Sequence, residues 1–231
     1  PPGRAHIADY ASFVAMLARR YPKSAGIEVW NEPNQKFFWQ PYPDPVLYAD
    51  MLKATYRAVK AVNPSMPVVN GGLADNTSYD YGIPPKPYAQ AMYANGLGSY
   101  MDGFAFHPYP HLTGLFDQTV ADMRAVRHAA GDDAKPFWIT ESGWTTTGHL
   151  SGWPASWILT EAQQATSLVA LYRRIYAMPD VHAFMVHTLI EPPGNRDTSP
   201  GVGYGVVHAD LTPKPAFCAL AVLRGKPSPC R

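Results

Sequence analysis

The sequence predicts an α/β fold, and within that class a (β/α)8 barrel, on three observations. Short apolar runs rich in β-branched and aromatic residues alternate with segments whose apolar residues recur at helical spacing. That alternation indicates a parallel sheet with right-handed crossovers. Successive strand starts lie about 35 to 45 residues apart, the length of one strand, one helix and their loops. The connections are also asymmetric. Strand-to-helix loops at 31–44, 71–87, 107–115 and 142–160 are long and rich in aromatic residues, Gly and Pro, whereas helix-to-strand links such as Asn63-Pro64-Ser65 and Pro179-Asp180 are short. A barrel that builds its site from the loops at the C-terminal strand ends has this asymmetry.

The elements follow in order. Ile7 to Tyr21 is a helix, with Ile7, Tyr10, Phe13, Val14, Leu17 and Ala18 on one face. Ile27 to Trp30 is a strand. Asp44 is a good N-cap and Pro45 suits a first turn, so a helix runs from there to about Val62. Met66 to Asn70 is a strand and Pro87 to Leu97 a helix. Asp102 to Phe106 and Phe116 to Ala130 form the next pair. Pro136 to Thr140 is a strand, followed after a long loop by a helix over Glu161 to Ala177. Val181 to His187 is a strand, and Pro215 to Leu223 the closing helix.

This reading yields five strands where a closed barrel needs eight, and a complete barrel typically runs to about 250 residues. Three βα units, roughly 100 residues, are expected ahead of Ile7. Residues 1–231 are then a single barrel domain in its C-terminal portion, strands four to eight. Five parallel strands alone leave two open edges. Either the chain is the C-terminal part of a larger barrel, or another polypeptide segment supplies the remaining strands.

Composition narrows the partners. Of 231 residues, 46% are hydrophobic and 13% aromatic, enough to bury a substantial core, and 19 basic against 18 acidic residues leave a formal charge of +1. That balance argues against nucleic acid or an anionic membrane surface and favours a neutral substrate. Fourteen Tyr and six Trp suit stacking on sugar rings as well as core packing. No run approaches the roughly 20 apolar residues of a membrane span, and the first residues show no signal-peptide h-region. Cys218 and Cys230 either close a short disulfide loop or are two unrelated thiols. A bridge implies export, and hence a secreted or cell-envelope protein.

Two tripeptides carry the chemistry. Asn31-Glu32-Pro33 follows the apolar run Gly26–Trp30, and Thr140-Glu141-Ser142 follows Pro136–Ile139. A carboxyl at the mouth of a buried strand sits at the edge of a low-dielectric interior, which can separate the proton affinities of two such groups. Paired carboxyls with separated roles are the equipment of glycoside hydrolysis.

Trp30-Asn31-Glu32-Pro33, His107-Pro108-Tyr109 and Ile139-Thr140-Glu141-Ser142-Gly143-Trp144, in that order, resemble the retaining glycoside hydrolases of clan A, with families 39 and 5 nearest. The segment Gly205–Phe217 resembles the stretch leading into that clan's last helix, so the resemblance covers about residues 5–223. It implies that Glu32, after strand four, is the acid/base and Glu141, after strand seven, the nucleophile. It implies further that Asn31 bonds the sugar 2-hydroxyl and that Tyr109 orients the nucleophile. His107 either lines the site and bonds a carboxylate or is a satisfied core histidine. Trp144 is a candidate sugar platform, and Phe37, Phe38 and Trp39 either line the leaving-group side or pack the loop. Where the clan usually has an aromatic platform after strand eight, this chain has His187. Glu191 is an ion-pair partner or a substrate ligand. No cofactor or metal is expected, and the partner is a carbohydrate.

The function expected is therefore a retaining O-glycosidase cleaving β-glycosidic bonds of a neutral poly- or oligosaccharide. The alternative is a catalytically inactive carbohydrate-binding or scaffold barrel, or an incomplete barrel needing a partner fragment. A metal hydrolase built on His107, His111, Glu141 and His187 has weaker support, because the chain has neither a His-x-His pair nor a helical His-Glu-x-x-His.

Overall fold

The computed structural model describes residues 1–75, 78–110, 116–146, 157–192, 202–228 and 230. The chain divides into two compact units, residues 1–108 with 115–139, and residues 109–114 with 140–231.

The strands of the first unit are short and parallel. β1 (Ile27–Val29) pairs with β2 (Val68–Asn70), Ile27 opposite Val68 and Val29 opposite Asn70. The chain breaks step at Gly71-Gly72 and resumes as β3 (Leu73–Ala74), which pairs with β4 (Phe104–His107). β4 pairs in turn with β5 (Phe137–Ile139), Phe104 opposite Phe137 and Phe106 opposite Ile139. Spatial order follows chain order, as it must when each crossover returns to the neighbouring position. Asn70 ties the break together: its amide donates to the Gly71 and Ala105 carbonyls at 2.8 and 2.9 Å and accepts from the Ala105 N–H at 2.8 Å. Every residue of β2 to β5 is buried, the signature of a parallel sheet covered on its faces.

The covering helices are α1 (Ile7–Arg20), α2 (Pro45–Val62), α3 (Pro85–Ala94) and α4 (Phe116–Ala129), each packed against the next. Asp44 caps α2 as expected, its Oδ1 accepting from the Val46 and Leu47 N–H groups at 2.9 Å. On α1 the buried side chains are Ala11, Val14, Ala15 and Ala18. Phe13, expected on the buried face, is 53% exposed. Small alanines let α1 approach α2 closely, and that contact outranks the larger side chain. α3 starts two residues earlier than expected because Pro85 is suited to a first turn. It ends at Ala94, before Gly96 takes up a left-handed φ of 74°, and Leu97 falls instead in a short 3-10 turn.

In the second unit α5 (Glu161–Tyr176) begins with a capping box, Thr160 and Gln163 each bonding the other's backbone N–H. β6 (Val181–Phe184) ends three residues short of the expected His187, and α6 (Pro215–Leu223) has the expected bounds. Ala165, Leu168, Val206, Val207 and Ala216 form the core here. Lys214, 1% exposed, makes a 2.5 Å ion pair with Glu191, 3% exposed, which identifies Glu191 as a structural ion-pair partner. Cys218 and Cys230 are disulfide-bonded, which tethers the tail to α6.

The α/β class and parallel pairing are thus as expected. Among the described residues the strands do not close into a barrel, and no helix is long and apolar enough to cross a membrane.

Candidate active site

In the first unit, Glu32 lies against a buried histidine. After Val29 the backbone turns sharply, with φ of 75° at Trp30 and 42° at Glu32. Non-glycine residues in this left-handed region cost on the order of 1–3 kcal/mol each and persist only where their surroundings hold them. Here the holding groups are identifiable. Trp30 donates its indole N–H to the Phe38 carbonyl at 3.1 Å and meets the rings of Tyr10 and Trp39 edge-on. Asn34, fully buried, donates to the Ala74 and Ile83 carbonyls and accepts from the Ala74 N–H, all within 3.0 Å. The loop bearing Glu32 is therefore clamped to the end of β3. Asn31 sits half-buried between the two strained residues.

His107, the last residue of β4, is fully buried. Its Nδ1 lies 3.0 Å from Glu32 Oε1, and its Nε2 lies 3.6 Å from Glu28 Oε1. His107 is thus a core residue that also touches Glu32. Gly72 makes the placement possible: a Cβ there would stand 2.0 Å from His107 Nε2. The Gly72 N–H donates to Glu28 Oε1 at 2.5 Å. The sequence reading missed Glu28 and Asn34. The available signal was a lone carboxylate inside an apolar strand, Ile27-Glu28-Val29, since a buried charge needs partners.

In the second unit, Glu141 follows β5 by two residues in the chain. The Tyr109 hydroxyl donates to Glu141 Oε2 at 2.8 Å, and His187 Nδ1 stands 3.6 Å from the same oxygen. Tyr204 completes an aromatic surround, with its ring centroid 5.8 Å from Tyr109 and 5.5 Å from His187. Burial, and then the charge of Glu141, push the Tyr204 hydroxyl well above its usual range, so it stays a neutral phenol. The His187 N–H donates to the Ser142 carbonyl at 3.0 Å, joining the segments after β5 and β6. Trp144 is half-buried against the α5/α6 core, its carbonyl accepting from Gln164 at 2.8 Å. Trp39 is core, Phe38 intermediate and Phe37 80% exposed. His111 lies outside the described residues. Tyr204 was missed because a tyrosine among glycines looks like loop filler.

Each glutamate thus has its own partners, a phenol hydroxyl donating to Glu141 and an imidazole nitrogen against Glu32.

No protein-family model matches the chain, and no curated protein matches it in sequence. Solved structures do match. A family 39 glycoside hydrolase from the gut symbiont Bacteroides cellulosilyticus WH2 superposes with a TM-score of 0.64 at 21% identity, over 96% of this chain and 45% of that one. The fold is like that of family 39 glycoside hydrolases and related β-glycosidases. A monomeric β-xylosidase from Caulobacter crescentus CB15 gives 0.64 at 23% identity, over 94% of this chain and 46% of its own. A β-glucuronidase from Faecalibacterium prausnitzii gives 0.61 at 17%, over 96% and 35%. The chain thus spans less than half the length of these structures, and at these identities the likeness is one of fold.

Proposed function

We propose that this chain is the site-bearing portion, strands four to eight, of a (β/α)8-barrel retaining glycosidase acting on β-glycosides of a neutral poly- or oligosaccharide. The observation that carries the proposal is the 2.8 Å hydrogen bond from Tyr109 to Glu141. It gives one of the two strand-end glutamates the environment of a nucleophile, while Glu32 has that of a proton carrier beside His107. The fold likeness to β-glycosidases supports the same reading.

In this reaction Glu141 attacks the anomeric carbon as Glu32 donates its proton to the leaving oxygen, giving a covalent glycosyl-enzyme. Glu32, now a carboxylate, takes a proton from water, which displaces Glu141 and restores both groups. The mechanism requires the two carboxyls to stand about 5 to 5.5 Å apart. Asn31 bonds the sugar 2-hydroxyl as positive charge develops on the ring, and Trp144 and His187 contact the sugar. The reaction draws on side chains alone. Three preceding βα units complete the barrel, and the Cys218–Cys230 bridge supports export to an oxidising compartment.

The test is Glu141→Gly in the full-length protein. Turnover of aryl β-glycosides should vanish, and added azide should restore it with an α-glycosyl azide as product. A variant that kept wild-type turnover would remove Glu141 from the role.

A further inference from the structure

Glu28 is left unused by that mechanism, yet it approaches the acid/base through a single intervening ring. Its Oε1 accepts the Gly72 N–H at 2.5 Å and stands 3.6 Å from His107 Nε2, while His107 Nδ1 stands 3.0 Å from Glu32. The ring is fully buried and occupies the space that a side chain at Gly72 would fill. We propose, on the glycosidase reading above, that Glu28 is a positioning residue that holds the proton of the His107–Glu32 pair in place for donation.

The argument is one of proton count. A neutral imidazole carries one N–H and one lone pair. The acceptor-only charge of Glu28 favours the N–H on Nε2, which turns the Nδ1 lone pair toward Glu32. A 3.0 Å contact between Nδ1 and Glu32 Oε1 is then a hydrogen bond only with a single proton between them. That proton rests either on Glu32 with a neutral ring or on Nδ1 with a carboxylate. In both forms the negative charge of Glu28 strengthens the pair's hold on it. The contact at 3.6 Å is too long for a hydrogen bond and acts through charge. Tyr48 of α2 is a further titratable group that feels the Glu28 charge. Burial above all, with the Tyr10 hydroxyl and the Glu28 charge adding, keeps Tyr48 a neutral phenol that donates to the Val29 carbonyl. Tyr48 itself therefore adds no charge.

The experiment is ¹⁵N-histidine NMR of the full-length protein, wild type against Glu28→Gln and Glu28→Asp, with pH–rate profiles alongside. The wild-type ring should carry its proton on Nε2. In Glu28→Gln the pair should release its shared proton about one pH unit lower, the lower end for removing an opposite charge at this range. The basic limb of kcat/KM should move down equally for substrates with poor leaving groups, and Glu28→Asp should restore both. An unchanged His107 titration in Glu28→Gln overturns the proposal. So does a wild-type neutral ring protonated on Nδ1, which decides the matter should the variants not fold. The NMR signals report whether or not any glycoside is hydrolysed, so failure here is distinguishable from failure of the glycosidase reading.

Discussion

The Tyr109 hydroxyl touches the carboxylate that would attack, and removing it leaves the aromatic ring and its packing in place. A hydrogen bond to a charged group contributes about 1.5–3 kcal/mol, and each 1.36 kcal/mol is tenfold in rate. Tyr109→Phe should therefore lower kcat about 10- to 100-fold with little change in KM, as steady-state kinetics on an aryl glycoside would show. A large rise in KM with kcat unchanged would instead assign Tyr109 to substrate binding. At this scale the sequence was informative where residue type declares chemistry. Glu32 and Glu141 stand out because each carboxyl follows an apolar run, and His107 and Tyr109 stand out through the family resemblance. Glu28, Asn34 and Tyr204 did not stand out, because their importance rests on contacts with residues far along the chain. Asn34 matters only because Ala74 and Ile83 present backbone groups to it.

Elements were legible where a local rule sets their ends. Asp44-Pro45 announces α2, and the Asp44 carboxylate does accept two first-turn N–H groups. Glu161 starts α5 because Thr160 and Gln163 form a capping box. Ends set by tertiary geometry were less legible. β1 stops at Val29 because Trp30 turns left-handed, and β6 stops at Phe184, although both runs remain apolar beyond those points. The cap makes a prediction of its own. Asp44→Ala should cost about 1 kcal/mol, a fall in Tm of roughly 2–4 °C for a chain of this size, with activity retained at lower temperature. Calorimetry would measure it. A loss of activity without a change in Tm would mean that the loop before α2 serves the site rather than the helix.

At the scale of the whole molecule, five of the six strands and their parallel pairing were legible, because hydrophobic period and loop length report them; β3 (Leu73–Ala74), which resumes after the Gly71-Gly72 break, was not. How the sheet is completed was not, since closure depends on partners that a count of strands does not identify. The surface offers a physical indication. Phe13 and Met16 on α1, and Tyr21 just beyond it, are each more than half exposed. In the second unit a groove of about 550 Å³ runs along β6, lined by Tyr172, Ile175, Tyr176 and Phe184. β1 is paired with β2 along one edge only among the described strands. An unpaired strand edge and exposed large apolar side chains are each a liability unless something covers them. On the proposed reading the covering groups are the three earlier βα units. Residues 1–231 produced alone should then self-associate in light scattering and give no measurable turnover, although Glu32 and Glu141 are both present. Adding the preceding region, in cis or as a co-expressed fragment, should restore a monodisperse and active protein. Full activity from residues 1–231 alone would show that these strands need no completion, and would overturn the assignment of the chain to strands four to eight.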